Sequence, residues 1–136
     1  MAWLALAWTL LGQSPLVTRI AMLALAAFSL TGFFRLARVI SNNVVAVGAT
    51  VLVALYPVFF AQSSLAQVDL PAAGLIFWGL EAYFQKRRTV VAIWFSLAAL
   101  AKETAILVPL GLCVWEILTL FFTSTRFENT PPQRTP

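Results

Sequence analysis

Histidine is absent from this chain, cysteine occurs once and acidic residues five times, so the side chains able to do chemistry are few. The lack of histidine excludes a His-based catalytic triad and the common His-containing metal sites, and one cysteine builds neither a zinc site nor a disulfide. What remains is Asp69, Glu81, Glu103, Glu116 and Glu128, with Arg19 and Lys102 standing apart from the other basic residues. The chain is 61% hydrophobic and 10% charged, with a mean hydropathy of +0.89. Ionisable groups in or beside such apolar segments are costly and are candidates for function.

Each of these residues also has a structural reading. Asp69 precedes Leu70 and Pro71, where a carboxylate accepts the orphan N–H groups of a helix start and the proline gives none up. Lys102 and Glu103 are either turn charges or site residues. Glu81 lies one turn before the sequence QKRR and suits an ion pair with that cluster. Glu116 either faces a bundle or approaches the inner surface near Arg126. Cys113, in an apolar run, reads as core. No Gly-rich phosphate loop occurs, and Gly74 and Gly79 lack the spacing of the membrane dimer motif.

The elements that must position these residues follow from the apolar runs. A soluble domain carries about a quarter charged residues, so this chain reads as an integral membrane protein, all-α, a polytopic transmembrane helix bundle. Its formal charge of +4 comes from small clusters at the ends of apolar runs. That pattern is a topology signal and provides no nucleic-acid surface. Residues 1–12 would span about 18 Å as a helix, too short to cross, and Trp3 and Trp8 suit a helix lying at the interface. The expected crossings are about five: 16–36, 44–61, 70–84, 89–101 and 104–122. The polar stretch Ser41, Asn42, Asn43 separates the first two. The run from Thr89 to Phe122 would reach about 51 Å as one helix, too long for one crossing, so a turn is expected at Lys102. Residues 123–136, polar and proline-rich, are expected to be a disordered tail.

Of the basic residues up to Arg126, placing Arg35, Arg38, Lys86, Arg87, Arg88 and Arg126 on the cytoplasmic side leaves only Arg19 and Lys102 on the other, which follows the positive-inside rule. The N-terminus is then outside, the C-terminus cytoplasmic, and Asp69 shares the outer face with Lys102, in a plasma or inner membrane. The start, MAWLALAWTLLG, has no basic n-region and no cleavage site, so the chain is expected to begin partway through a longer protein.

Order and spacing carry a resemblance. A Trp-containing segment ending in LLG, an Arg soon after, a crossing ending in Arg, then YPVFFAQSSLAQVDLP, then ALAKETAILVP: over residues 1–122 this resembles the polytopic C-superfamily glycosyltransferases. The branch it looks like is the protein O-mannosyltransferases and aminoarabinose transferases. The resemblance implies transfer of a sugar from a polyprenyl-phosphate carrier to an acceptor at the extracytoplasmic face. Asp69 matches the family's second acidic position; in this family an acidic residue serves as general base or orients the acceptor. Lys102 matches a cation on the phosphate side, where charge develops on the leaving group. Glu103 and Gln62 are grouped with Lys102 as substrate-binding. The implied partners are a lipid-linked sugar donor and membrane lipid, with no nucleic acid and an acceptor left open. No cofactor is assigned, and dependence on a divalent metal stays open.

One departure matters: family members place their principal catalytic carboxylate ahead of the Trp segment, and this chain has no Asp or Glu before position 69. The expectation is therefore a partial membrane core, inactive alone. Two other classes compete with it, a small multi-pass transporter subunit and a non-catalytic membrane assembly partner. The transporter is disfavoured because the charges sit near helix ends, whereas transport sites favour broken helices at the midplane.

Overall fold

The computed structural model describes residues 2–64 and 69–128. They form seven α-helices and a 3₁₀ turn: α1 (Ala2–Leu11), α2 (Pro15–Ile40), α3 (Asn43–Leu55), α4 (Pro57–Ser64), α5 (Asp69–Phe84), α6 (Arg88–Ala101), the turn Glu103–Ile106 and α7 (Leu107–Glu128). No strand occurs among the described residues. Residues 1–106 and 107–136 are two separate compact units.

Local chemistry sets the helix boundaries in the first unit. Gly12, at φ 83°, ends α1, its N–H donating to the Trp8 carbonyl, as expected of glycine in the left-handed region after a helix. Ser14 then caps α2, its hydroxyl accepting from the Val17 N–H at 3.2 Å with Pro15 in the first turn. Asn42 caps α3 in the same way, accepting from the Val45 N–H at 2.9 Å, so the expected polar break at Ser41–Asn43 is a helix stop followed by a helix start.

The expected crossing 44–61 is not one helix. Tyr56 is extended, at φ −67° and ψ 126°, because the ring of Pro57 clashes with a helical residue before it. The break leaves α3 with 13 residues and α4 with 8.

Helices α2 and α5 run parallel. Moving along α2, Ser29 meets Leu70 and Gly74, Gly32 meets Phe77 and Trp78, and Arg35 meets Glu81. Small residues make this approach possible, as is common between membrane helices. A Cβ on Gly74 would collide with the Ser29 hydroxyl, and one on Gly32 would stand 2.8 Å from the Trp78 ring. The Ser29 hydroxyl contacts the carbonyls of Leu25 at 2.9 Å and Leu70 at 3.2 Å. Helix α6 returns antiparallel along another side of α5, where Gly79 admits the Phe95 ring. Phe28, Trp78 and Trp94 meet between these helices, with centroids 5.6 to 6.0 Å apart.

The buried set is mostly small: Ala21, Ala26, Ala46, Ala72, Ala82, Ala98 and Ala105, with Met22, Leu36, Leu70 and Phe95. Large apolar side chains lie outside instead, among them Leu23, Val44, Leu52, Leu55 and Leu100. This reverses the arrangement of a water-soluble domain, where large aliphatic residues fill the core.

In the second unit, α7 is a 22-residue helix, with Pro109 in its first turn where its missing N–H leaves no bond unmade. Leu107, Leu110, Val114, Trp115, Ile117, Leu118, Leu120, Phe121 and Phe122 are exposed along it. Cys113 is exposed as well and is not core. An apolar neighbourhood in sequence marks a core residue only where other helices cover it. Helix α7 reaches Glu128, six residues into the segment expected to be a tail, and 129–136 lie outside the described residues.

Among the described residues, two stretches are long and apolar enough to cross a membrane, Pro15–Ile40 and Glu103–Phe122. That corrects the expectation of about five. Helices α3, α5 and α6, with 13, 16 and 14 residues, extend only about 20, 24 and 21 Å at 1.5 Å per residue, short of a hydrocarbon layer of about 30 Å. Pro57 divides the run 44–61, which was expected to be one crossing, and the stops at Lys86 and Lys102 fall where breaks were expected but leave helices too short to span.

Candidate functional site

Asp69 is the first residue of α5, and Lys102 is the residue at which α6 stops. Lys102 leaves helical geometry at φ −152° and ψ 124° while its N–H still donates to the Ala98 carbonyl at 2.9 Å. The turn expected there is present. Because α5 and α6 are antiparallel, the start of one lies beside the end of the other, and Lys102 Nζ donates to Asp69 Oδ1 in a direct ion pair.

Two fields favour this pair. The N-terminus of α5 carries the positive end of its helix dipole and attracts a carboxylate, and the C-terminus of α6 attracts a cation. The side chains are 41% and 38% exposed, respectively, so they stand at an open end of the bundle where a ligand can reach both.

Of the other expected substrate-binding residues, Glu103 opens the 3₁₀ turn after Lys102 and is exposed. Gln62 belongs to α4, and its side chain lies outside the described residues. The stretch between α4 and α5 also lies outside them.

At the other end of α5, about 18 Å from Asp69 by helical rise, Glu81 accepts from Arg35 Nη2 at 2.9 Å and Nε at 3.1 Å, both on Oε1. Gln85 Nε2 donates to the same oxygen. Glu81 is only 5% exposed, and a buried carboxylate needs such partners. The Arg35 guanidinium also lies 5.0 Å from the Trp78 ring centroid. Sequence reasoning paired Glu81 with the basic residues of QKRR. Gln85 does come from that cluster, but the cation comes from α2. Arg35, Arg38, Val39, Glu81 and Gln85 line a groove of about 420 Å³ here.

The aromatic cluster of Phe28, Trp78 and Trp94 was not singled out from sequence. Trp78 Nε1 donates to the Phe28 carbonyl at 3.2 Å, a backbone acceptor that no sequence motif marks. The signal available was the pair of glycines, Gly32 and Gly79, which mark where bulky rings cross neighbouring helices. Among the described residues, no three His, Cys, Asp or Glu side chains cluster as metal ligands.

The described chain is thus an all-helical protein with an ion pair at each end of its central helix. No protein-family model, no curated protein and no solved structure matches it.

Proposed function

We propose that this chain is part of the membrane core of a glycosyltransferase that moves a sugar from a polyprenyl-phosphate donor to an acceptor at the extracytoplasmic face. The observation that supports it best is the Asp69–Lys102 ion pair, which joins at one open end the two residues that the family resemblance assigns to one site. In this reading the donor phosphate displaces the carboxylate from Lys102. The cation then stabilises the departing phosphate, and the freed Asp69 accepts a proton from the attacking hydroxyl or orients it.

Insertion in a bilayer is supported by the two stretches able to cross and by the outward-facing large apolar side chains. The proposed orientation puts Arg35, Arg38 and Lys86–Arg88 on the cytoplasmic side, by the excess of basic residues there. The N-terminus is then outside and the C-terminus inside. No acidic residue precedes Asp69, so donor binding, which needs the cation alone, is the more direct readout than transfer.

The test is retention of a polyprenyl-phosphate sugar by the purified protein in lipid nanodiscs. Wild type should bind, Lys102→Gln should bind at least tenfold more weakly, and Asp69→Asn should bind as well as wild type or better, because it releases the lysine. No binding by wild type, or equal binding by Lys102→Gln, would sink the proposal.

A second reading rests on the same pair. Its two charges satisfy each other and both helix dipoles, which suffices for a staple of the α5–α6 hairpin in a non-catalytic membrane partner. Under that reading Lys102→Gln loosens the hairpin and leaves donor retention unchanged.

A further inference from the structure

The groove at the far end of α5 belongs to no part of that site. It lies where the C-terminal ends of α2 and α5 come together. Arg35, Arg38, Lys86, Arg87 and Arg88 gather around this end of the first unit, with Glu81 the one acidic residue lining the groove. The Glu81 charge is taken up by Arg35 and Gln85, so the surplus at this end is cationic. Val39 supplies an apolar wall, and the adjoining Ile40 is exposed.

A second observation concerns the backbone. Helix α5 ends with the Lys86 N–H donating to the Tyr83 carbonyl at 2.9 Å and the Arg87 N–H to the Ala82 carbonyl at 3.0 Å. These are the two bonds of a Schellman motif, whose left-handed position is usually glycine. Lys86 occupies it at φ 59°, a conformation unfavourable for a residue with a Cβ. The residue that follows Gln85 of the groove wall is thus a lysine held at the expense of backbone comfort, and strain of this kind gathers at sites of binding.

We propose that this groove binds a phosphate-bearing headgroup, that of an anionic phospholipid, with Arg38 and the free edge of the Arg35 guanidinium on the phosphate and Val39 against the acyl chain. An arginine fork fits phosphate oxygens, and basic pockets at the ends of membrane helices are suited to headgroups. The inference shares with the proposed function only the bilayer and does not use Asp69 or Lys102.

The test is native mass spectrometry of the purified protein titrated with phosphatidylglycerol or phosphatidylcholine, with and without inorganic phosphate. Wild type should retain phosphatidylglycerol in preference to phosphatidylcholine. Arg38→Gln and Lys86→Gly should each weaken that retention about fivefold, the weight of one basic residue at an anionic surface, and Arg19→Gln, an exposed residue near the opposite end of α2, should leave it unchanged. Arg38 is exposed, and Lys86→Gly relieves backbone strain, so neither loss would reflect unfolding. Retention that survives millimolar inorganic phosphate assigns the site to lipid; displacement assigns the same phosphate chemistry to a soluble ligand. Equal retention of the two lipids, or full retention by Arg38→Gln, would overturn the proposal.

Discussion

Lys102 and Asp69, 33 residues apart in the chain, meet because the antiparallel α5–α6 hairpin sets a helix end beside a helix start. Each charge opposes the dipole of its own helix terminus in sign, so the pair is favoured by its location as well as by its partner.

That double preference has a testable asymmetry. Asp69→Asn or Lys102→Gln should each lower stability by about 0.5–1 kcal/mol, as for a part-exposed pair. The charge-swapped double variant, Asp69→Lys with Lys102→Asp, restores the attraction but places both charges against the helix dipoles. Thermal unfolding in detergent should find it less stable than wild type; full recovery would show that the dipoles contribute nothing.

The ion pair at the other end of α5 should behave differently, because its partners are unequally buried. Arg35→Ala strands a buried Glu81 carboxylate and should cost about 3 kcal/mol. Glu81→Ala leaves an arginine that is already half-exposed and should cost about 1–2 kcal/mol. Equal losses in denaturant titrations would contradict the burial seen at Glu81.

Glycine positions separate close packing from open helix surface. Gly74→Ala forces a methyl onto Ser29 and should destabilise by about 1–3 kcal/mol. Gly48→Ala, with nothing within 4 Å of the added carbon, should stabilise α3 by about 0.5–1 kcal/mol. Melting temperatures moving in the same direction for both would refute the close approach of α2 and α5.

Lys86→Gly should raise stability by about 1 kcal/mol, because glycine adopts φ 59° without the Cβ penalty. Equilibrium unfolding would check this, and a loss of stability would mean that the lysine side chain contributes more than its backbone strain removes.

Several features of the fold were legible in the sequence. The stop at Ser41–Asn43, the turn at Lys102 and the short α1 follow from polar breaks, capping side chains and apolar run lengths. The two ends of α5 were legible as the positions of Asp69 and Glu81, and the turn expected at Lys102 is the one that brings Lys102 back to Asp69. Helix lengths were less legible: 44–61 looked like one apolar run, and only its backbone shows the break that Pro57 imposes. Exposure was not legible for α7, where Cys113 sits among apolar neighbours and is itself exposed, because hydropathy records a residue's neighbours in sequence and not its packing.

The sequence by itself determined a helical chain, the helix stops marked by polar breaks and caps, and which few ionisable groups it commits near helix ends. These are local matters of hydropathy, proline sterics and capping. Which charges meet was decided only by tertiary structure. Glu81 takes Arg35 from a helix 46 residues away rather than the basic residues next to it, because the register of parallel α2 on α5 is fixed by where Ser29, Gly32 and Gly74 allow two backbones to approach. That register is a property of two surfaces in contact, and no single stretch of sequence contains it.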